Sequence, residues 1–406
     1  MTEPIFLVMG PPGHVRGADA ETCLRRMGQN AGNLVFQHAV PKLVAGRCVH
    51  LHETGADWAD GPLHDAARAV IFPAANHLRC GADWSGLNGY LARPGPPLVV
   101  LGLGVQAPPG AGVADTAAAL AADPHAARLV ALLKERAVLV TVRGRFSQAV
   151  CDRLGLAGTQ ALGCPSALLN PAPDLGLVIA ARLARVAARL GGKGCAVRPA
   201  MAAAAPFEIR GDLDRITLEQ RLFDWFVAER DGLYVQQSGG VAALQAASGG
   251  WHRLAPSTRA GIRAVLAPGM EETAFWARLC RSGRVPLSAP DWIAMLAGRD
   301  MVIGSRVHGV MAALAAGVPG ILVPHDARGA ELARHMHLPV LDRADLVAAS
   351  GPGGVLSRVR FDPLAFDRWR RSAAAGMADA LGAVGVPPSA HLMSLAAGAG
   401  PRARAA

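Results

Sequence analysis

The chain has 406 residues, of which 51% are hydrophobic and 18% are charged, and its formal net charge is +10. This composition excludes an intrinsically disordered protein, and the length exceeds what one ordinary core encloses, so we predict two domains. The basic residues are dispersed and aromatic residues make up only 5% of the chain, which argues against a nucleic-acid-binding surface. The charge suits a small anionic substrate or an anionic membrane surface, and a merely arginine-rich exterior is the alternative.

The N-terminal stretch MTEPIFLVMGPPGH shows no pattern of a targeting segment. A signal peptide combines a basic start with a longer apolar run, and a membrane span needs about 18 consecutive apolar residues. The seven cysteines are scattered and form no CxxC pair, so neither a zinc site nor a disulfide framework is indicated. We expect a cytoplasmic protein without a membrane span, with peripheral contact at the inner face of the membrane left open.

Strand-like and helix-like segments alternate along the N-terminal half. The sequence predicts a buried strand at PIFLVMG, a strand that enters a glycine-rich loop at PPLVVLGLGVQA and a strand at VLVTVRG, and RAVIFPA is a second apolar run. Between them it predicts helices at NLVFQHAVPKLVAG, ADTAAALAAD, AARLVALLKERA and SQAVCDRLGL, with a break or kink at Pro41 in the first of these. This alternation is typical of α/β layers built around a mostly parallel sheet.

A second alternating series follows the long amphipathic helix predicted at DLGLVIAARLARVAARLGG. It contains the predicted helices LEQRLFDWFVAERDG and APDWIAMLAGRD and the predicted strands LYVQQS and MVIGS. We therefore predict an N-terminal domain at residues 1–190 and a C-terminal domain at residues 191–385. Residues 386–406 are rich in Ala, Gly and Pro, which predicts a loose basic tail.

Common cofactor and metal motifs do not fit this chain. GLGVQA matches the dinucleotide pattern GxGxxA, but two prolines follow where the fingerprint needs a helix to begin. GPPGHVRG lacks the Lys-Ser/Thr ending of a phosphate loop. The two histidines of ARHMHLP are two residues apart and do not share a helix face. We predict no metal site and no organic cofactor.

The stretch GSRVHGVMAALAAGVPGILVPHD, residues 304–326, carries the strongest chemical signal. It follows the predicted strand MVIGS, and ligands of open α/β sheets sit outside the carboxyl ends of strands. A helix beginning there offers unpaired N–H groups and a dipole that favours an anion. We predict Ser305 as the N-cap, Arg306 as a donor to phosphate or carboxylate, and His308 as a proton-transfer group. The alternative is a tight turn with a surface arginine and a histidine that serves packing.

With the following ARGAELARHMHLPVL, this stretch resembles the C-terminal signature of the polysaccharide pyruvyl transferase family. That signature is a Gly-x-Arg-x-His turn, a small-residue helix, Gly-x-Pro, a strand, and a loop with an aspartate and a basic residue. GQNAGNLVFQHAV, VIFPAANHL, LGLGVQA, TVRGRFSQAVCDRLGL and LGCPSALLNP fall in the family's order, so the resemblance covers roughly residues 25–345. The chain departs from the family at Asn33, where many members have Asp, and at Arg328, where Lys is frequent.

The resemblance implies an α/β fold of two Rossmann-like domains facing a cleft, as in GT-B glycosyltransferases. It implies an enzyme that moves the pyruvyl group of phosphoenolpyruvate onto two hydroxyls of one residue of a cell-surface or exopolysaccharide, forming a cyclic ketal and releasing phosphate. The C-terminal domain would bind phosphoenolpyruvate and the N-terminal domain the saccharide or lipid-linked saccharide acceptor. No metal or organic cofactor is implied, and the oligomeric state is left open.

On the phosphoenolpyruvate side, the resemblance assigns catalytic roles to His308 and Arg306. His308 would act in acid–base catalysis or stabilise the departing phosphate, and Arg306 would bind the phosphate or carboxylate with the help of Ser305. Arg328 would close on the same anion. Arg143, at the end of VLVTVRG, would reach the cleft from the N-terminal domain, and a structural ion pair between the domains is its alternative.

On the acceptor side, the resemblance places Asn30 and Asn33 in a loop near the saccharide or the domain interface. A helix N-cap is the alternative role of Asn33. Gln106 would bind a sugar hydroxyl unless it is a plain loop residue. Cys164 is predicted to serve packing rather than nucleophilic catalysis, and Asp326 is predicted to cap the helix that begins at ARGAELARHM.

Two other functions compete with pyruvyl transfer. A nucleotide-sugar-dependent GT-B glycosyltransferase would also bind phosphates at a helix N-terminus, but it usually needs an acidic residue on the ribose, and HGVMAALAAG has none. A non-catalytic sugar-binding member of a polysaccharide assembly system would not need both Arg306 and His308. Fold alone does not separate these alternatives.

Overall fold

A computed structural model describes residues 3–17, 19–51, 62–108, 110–191, 197–228, 232–239 and 250–398. The described residues form two parallel β-sheets covered by helices, one sheet in each half of the chain. The predicted α/β class with two Rossmann-like, parallel-sheet units is therefore confirmed.

The first sheet has six strands in the order β2-β1-β3-β4-β5-β6, all paired in parallel. Its strands are β1 (Ile5–Val8), β2 (Arg47–His50), β3 (Ala67–Pro73), β4 (Leu98–Leu103), β5 (Ala137–Val142) and β6 (Gln160–Ala161). The helices of this half are α1 (Ala20–Arg26), α2 (Gly32–Leu43), α3 (Pro62–Ala66), α4 (Ser85–Leu91), α5 (Val113–Ala122), α6 (Pro124–Arg136), α7 (Arg145–Arg153) and α8 (Leu175–Gly191). A short 3-10 helix covers Pro165–Leu168.

The second sheet has five parallel strands in the order β11-β10-β7-β8-β9. Its strands are β7 (Pro199–Ala203), β8 (Leu233–Gln236), β9 (Gly283–Arg284), β10 (Met301–Gly304) and β11 (Gly320–Leu322). The helices that follow α8 are α9 (Leu213–Leu222), α10 (Pro256–Leu266), α11 (Glu272–Ser282), α12 (Ala289–Ala297), α13 (Val307–Ala315), α14 (Ala327–His335), α15 (Arg343–Ala348), α16 (Pro352–Leu356), α17 (Pro363–Ala383) and α18 (Ala390–Ala397). Shorter helical turns cover Pro206–Glu208, Phe223–Ala228 and Gly250–Arg253.

In each sheet there is one point, the reversal point, on either side of which successive strands are added in opposite directions. In the first sheet the reversal lies between β1 and β3, and in the second it lies between β7 and β10. The loops that leave two such strands diverge, which opens a crevice at their carboxyl ends. These two crevices are where ligand-binding residues are expected.

An apolar core shared by both halves of the chain joins the two sheets. Leu34 and Val35 of α2 are fully buried in one cluster with Val310 and Met311 of α13. Backbone hydrogen bonds reinforce this contact, such as the 2.7 Å bond that the Ala31 amide donates to the Gln237 carbonyl. An interface of this kind fixes the two crevices relative to each other.

Helix α2 continues through Pro41, so the predicted break at that residue is wrong. Proline removes one N–H donor and crowds the carbonyl four residues earlier. Pro41 lies in the last turn, only two residues before the helix ends at Leu43. The buried apolar face of α2, which includes Phe36 and Val40, outweighs the single missing bond.

The C-terminal helices return to the first sheet. Met377 and Leu381 of α17, with Leu392 and Leu395 of α18, are buried in one cluster with Phe6 of β1 and other first-sheet side chains. The prediction of a loose tail from residue 386 is therefore wrong for Ala390–Ala397, which form a packed helix. Residues 399–406 lie outside the described residues. Among the helices that the structure describes, none is both long and apolar enough to cross a membrane.

Candidate functional site

The turn between β10 and α13 brings Ser305, Arg306 and His308 to the reversal point of the second sheet. Gly304 makes this turn feasible, because a Cβ at that position would lie 2.1 Å from the Ala202 carbonyl oxygen of β7. Helix α13 begins at Val307, and Arg306 occupies the N-cap position without a side-chain cap. The predicted N-cap role of Ser305 is therefore wrong. The Ser305 hydroxyl instead donates a 2.5 Å hydrogen bond to the buried carboxyl of Glu219.

Arg306 is ion-paired in this structure. Its guanidinium donates to the carboxylate of Glu208, which lies on the short helix that follows β7. The Glu208 side chain is 39% exposed, whereas the Arg306 side chain is 15% exposed. Burial, reinforced by the charge of Arg328 and opposed by Asp326, lowers the pKa of Arg306 to about 10. Its Nε atom is buried without a partner, so the guanidinium keeps an unused donor.

His308 lies in the first turn of α13, partly buried between the two sheets. Its ring centroid is 5.3 Å from that of Phe36 on α2, and its Nε2 atom is 4.0 Å from the Cys164 sulfur. Burial, followed by the charges of Arg143 and Arg328, holds the pKa of His308 well below its usual range. The imidazole is therefore neutral at physiological pH and offers a lone pair rather than a proton.

Arg143 follows β5 and reaches the same place from the first sheet. Its side chain is almost fully buried; Nε donates to the Gly102 carbonyl at 2.9 Å and Nη2 donates to the Ala74 carbonyl at 3.3 Å. The guanidinium also lies over the Phe36 ring, 5.6 Å from its centroid. Within the described part of the chain, no carboxylate lies within ion-pair distance of Arg143. The alternative of a structural ion pair between domains is thus not what the structure contains.

Arg328 acts electrostatically on three other arginines that follow strand ends. Arg79 follows β3, Arg143 follows β5, Arg306 follows β10, and Arg328 opens α14 after β11. The charge of Arg328 lowers the pKa of each of the other three, after the larger effect of burial. Arg328 therefore repels each of the other three, and an anion that binds beside it gains attraction and offsets that repulsion.

Arg328 is only partly neutralised by its own loop. Its Nη2 atom lies 3.3 Å from the Asp326 carboxylate, and both side chains are about three-quarters buried. Asp326 also accepts a 2.7 Å hydrogen bond from the Gly329 amide and caps α14, as the sequence predicted. Because its carboxylate already binds the helix N-terminus, Asp326 does not fully offset the arginine cluster.

A crevice of about 410 Å³ opens at the reversal point of the first sheet, between β1 and β3. It is lined by polar and aromatic side chains that include Asn30, Asn33, Gln37, Asn76, His77, Arg79 and Trp84. Three of their atoms are buried without hydrogen-bond partners, namely Gln37 Oε1, Asn76 Oδ1 and Trp84 Nε1. Unpaired buried polar atoms are costly, so they suit a ligand rich in hydroxyl groups.

The predicted acceptor residues divide between this crevice and its surroundings. Asn30 Oδ1 accepts a 2.8 Å bond from the Gly32 amide, and Asn33 Nδ2 donates a 3.0 Å bond to the Met27 carbonyl. Both therefore shape the loop, and Asn33 does not cap α2, whose N-cap position is Ala31. Gln106 is exposed after β4 and is absent from the lining of the described crevice.

The crevice and the α13 turn meet around Gly32. A Cβ there would lie 2.7 Å from Gln237 Oε1, 2.9 Å from Asn30 Oδ1 and 2.9 Å from His308 Nδ1, so a larger residue would displace these site side chains. Gln237, which follows β8, is 2% exposed, and its Nε2 atom is a buried donor without a partner. The site therefore contains an amide donor beside His308 that sequence reasoning missed.

Other site residues were also missed, and for some a signal was present. Arg79 and His77 follow an apolar strand in VIFPAANHLR, the same placement that marked Arg143 after β5. Glu208 follows β7 in the same way. Glu219 had no comparable signal, because it lies within α9 and reaches the site only through the packing of that helix.

The fold and site together define a two-lobed α/β protein with a polar crevice at the reversal point of the first sheet and arginines that follow strand ends of both sheets. The family model for polysaccharide pyruvyl transferase matches residues 251–327, the segment that contains Ser305, Arg306 and His308. The resemblance seen in the sequence is confirmed over that segment, and the match supports a transferase of this family in general terms.

Two further comparisons say less. No curated protein matches the chain. Among solved structures, the chain is similar to a Listeria monocytogenes protein described as a UDP-N-acetylglucosamine 2-epimerase, at 12% sequence identity and a TM-score of 0.39, with 95% of this chain and 99% of that chain covered. The fold assignment given above depends on strand order and pairing, not on this similarity.

Proposed function

We propose that this protein is a pyruvyl transferase that moves the pyruvyl group of phosphoenolpyruvate onto a saccharide as a cyclic ketal. The single observation that carries the proposal is a set of four arginines that follow strand ends of both sheets: the charge of Arg328 acts on Arg79, Arg143 and Arg306, and the charges of Arg143 and Arg328 act on His308. A phosphate and a carboxylate on one three-carbon molecule need several cations, and guanidinium groups bind both in a bidentate manner. The family match over residues 251–327 supports the same reaction class.

In this mechanism the arginines hold the doubly anionic substrate and His308 moves protons. The methylene carbon of phosphoenolpyruvate gains a proton, C2 becomes oxocarbenium-like, and a sugar hydroxyl attacks it. The bond between C2 and the phosphate oxygen breaks, a second hydroxyl closes the ketal, and inorganic phosphate leaves. His308 starts neutral, so it can accept the proton of the first attacking hydroxyl and deliver it to the methylene carbon, while the proton of the second hydroxyl leaves with the phosphate. The bound anion then favours the protonated imidazole, which stabilises the departing phosphate.

We place the saccharide in the crevice between β1 and β3. Amide side chains and Trp84 line it, and both are typical of sugar sites, where amides bind hydroxyls and an indole ring packs on a sugar face. Arg79 lines this crevice, and the charge of Arg328 lowers its pKa. This interaction supports a saccharide site that adjoins the site of the anion. The N-terminal half is thus the acceptor side, and the C-terminal half, with Arg306 and His308, binds phosphoenolpyruvate.

This reaction requires no metal or organic cofactor. We place it in the cytoplasm, with contact at the inner face of the membrane where the acceptor is lipid-linked. The acceptor is a residue of a cell-surface polysaccharide or exopolysaccharide.

The proposal is tested by measuring inorganic phosphate released from phosphoenolpyruvate with a panel of nitrophenyl and lipid-linked sugars. We expect release that depends on one class of sugar, together with a product whose NMR spectrum shows the ketal methyl group. The R306K and H308A variants should lose this activity. If instead the protein consumes a nucleotide sugar and leaves phosphoenolpyruvate untouched, it is a glycosyltransferase and the proposal is overturned.

A further inference from the structure

A buried carboxyl lies directly beneath the arginine and histidine turn. Glu219 of α9 is 1% exposed, and its Oε1 atom accepts the 2.5 Å hydrogen bond from the Ser305 hydroxyl. Its Oε2 atom accepts a 3.2 Å hydrogen bond from the Ala204 amide. Ala204 follows β7 and Ser305 follows β10, so one carboxyl ties together the two strand ends at the reversal point.

We propose that Glu219 is a positioning residue of the anion site: through Ser305 it holds the turn that carries Arg306 and His308, and it takes up a proton when the anion binds. This inference rests on the proposed function, because it treats phosphoenolpyruvate as the anion. Glu219 is not a group that contacts substrate. It acts on the substrate only through the turn.

The proposed uptake of a proton by Glu219 follows from the position of its carboxyl. Within the described residues Glu219 has no ion-pair partner, so its negative charge is stabilised only by two hydrogen bonds and by more distant groups. A second negative charge entering the adjacent site disfavours the ionised carboxyl further. Once protonated, the carboxyl donates to Ser305 Oγ, and the Ser305 hydroxyl proton becomes free to point elsewhere.

The other groups around Glu219 agree with this behaviour. Burial raises the pKa of Glu219 to about 7, and the hydrogen bonds from Ser305 and Ala204 and the charge of Arg215 oppose that rise. From β8, the Tyr234 hydroxyl donates a 3.2 Å bond to the Ala204 carbonyl, and Tyr234 stays neutral because burial and the nearby Glu219 raise its pKa. Tyr234 is therefore uncharged near neutral pH, whereas the pKa of Glu219 lies in that range.

The test is isothermal titration calorimetry of phosphoenolpyruvate binding at pH 6, 7 and 8, repeated in buffers of different ionisation enthalpy so that proton uptake is measured. E219Q keeps the size of the side chain and mimics the protonated carboxyl, since its amide group donates to Ser305 Oγ. E272Q, an exposed glutamate on α11, is the matched control. The ligand's own titration is the same for every variant, so differences in proton uptake report on Glu219.

We expect proton uptake near pH 7 for the wild-type protein and for E272Q, and a clearly smaller uptake for E219Q. The wild-type affinity should fall between pH 6 and 8 more steeply than that of E219Q. E219A, which loses both hydrogen bonds, should bind about 10-fold more weakly than E219Q at every pH, the loss expected when a buried hydrogen bond is removed and its partner is left unpaired. A merely structural role would weaken binding without changing proton uptake.

Equal proton uptake and equal pH profiles in the wild-type protein and E219Q would overturn the role of Glu219 and leave the proposed function standing. Inorganic phosphate is titrated in parallel as a second anion. If phosphate binds with the expected difference between variants and phosphoenolpyruvate does not bind, the positioning role is supported and the proposed function fails. If neither anion binds the wild-type protein, both proposals fail. Should E219A not fold, E219Q alone decides.

Discussion

The guanidinium of Arg306 and the carboxylate of Glu208 form an ion pair between the strand ends of β10 and β7. The residue that we assign to the substrate anion is therefore already bound to an anion of the protein's own. In the proposed function, phosphoenolpyruvate displaces this carboxylate, and the exposed Glu208 side chain turns into solvent.

Removal of that competitor should tighten binding of phosphoenolpyruvate. In Glu208→Gln the side chain keeps its size and loses its charge, so Arg306 is freed. Because Glu208 is exposed, solvent screens the pair, and exposed pairs contribute about 0.2–1 kcal/mol, or an affinity gain of about 1.5- to 5-fold. Calorimetry at low and high salt measures the gain, with Glu272→Gln as the control. Weaker binding in Glu208→Gln would show that the carboxylate supports the site instead of competing with the substrate.

Loss of His308 should affect turnover more than binding. A positioned acid–base group contributes about 10²- to 10⁴-fold to the rate, so His308→Gln should lower kcat by that factor and change the affinity for phosphoenolpyruvate little. His125→Gln, on the exposed surface of α6, is the matched control. Because His308 is neutral in the free enzyme, the wild-type kcat/KM should show no histidine-dependent acid limb between pH 6.5 and 8. Full activity in His308→Gln would place the chemistry elsewhere.

Replacement of Trp84 should weaken binding of the saccharide acceptor more than binding of phosphoenolpyruvate. Trp84→Leu removes the aromatic face and the indole N–H, and we expect the KM for the saccharide to rise by about 10-fold or more, as for other aromatic ligand contacts worth at least 1.4 kcal/mol. The dissociation constant for phosphoenolpyruvate should change less than the saccharide KM, because Arg79, which lies over the Trp84 ring at 4.9 Å from its centroid, keeps its charge. Initial rates with each substrate varied in turn separate the two effects. An unchanged saccharide KM would move the acceptor out of this crevice.

The contact between Glu331 and Ser147 should stabilise the joined lobes. Glu331 of α14 is buried, and its carboxylate accepts a 2.9 Å bond from the Ser147 amide and a 3.2 Å bond from the Ser147 hydroxyl in α7. Replacement by Ala removes charge-assisted hydrogen bonds at a helix N-terminus, so we expect a loss of about 1.5–3 kcal/mol in the free energy of unfolding. Urea denaturation measures it, and Glu135→Ala on the surface of α6 is the control. Equal loss in both variants would argue against a specific contact.

Stability should decline in mild acid because of His77. Its Nδ1 atom accepts a 2.9 Å bond from the Ala75 amide, and burial, with the charges of Arg143 and Arg79, lowers the pKa of His77 to about 3. The unfolded chain binds a proton below pH 6.5 and the folded chain does not, so stability falls as the pH drops from 6.5 towards 3. Thermal melts across this range should show a shallower decline for His77→Asn. Parallel curves for the two proteins would exclude His77 as the cause.

Much of the fold follows from local patterns. The strands that end at Val142 and Gly304 are continuous apolar runs followed by glycine, arginine or serine, and both were predicted along with the site residues that follow them. The C-terminal helix was missed because its Ala and Gly content outweighed a weaker signal. Leu392 and Leu395, three residues apart in HLMSLAA, are the buried face of that helix.

The site could be predicted only where its residues follow a strand. Arg306 and His308 fall into this group, but the partners that determine their state come from distant parts of the sequence. Glu208 precedes Arg306 by 98 residues, and Glu219 precedes Ser305 by 86. The N-cap role of Ser305 was expected from a local sequence rule, but the buried carboxyl of Glu219 binds its hydroxyl instead. Nothing in the sequence around Ser305 shows that Glu219 is near.

Helices α17 and α18 belong in space to the first sheet, although they follow the second sheet in the chain. Arg370 of α17 is fully buried and donates hydrogen bonds to the carbonyls of Ala167, Asn170 and Ala172. The polypeptide therefore passes from the first lobe to the second and back again, so residues from both ends of the described chain complete the first lobe. Cutting the gene near codon 190 would not yield an autonomous N-terminal fragment, because its sheet would be left uncovered on the side that these helices protect.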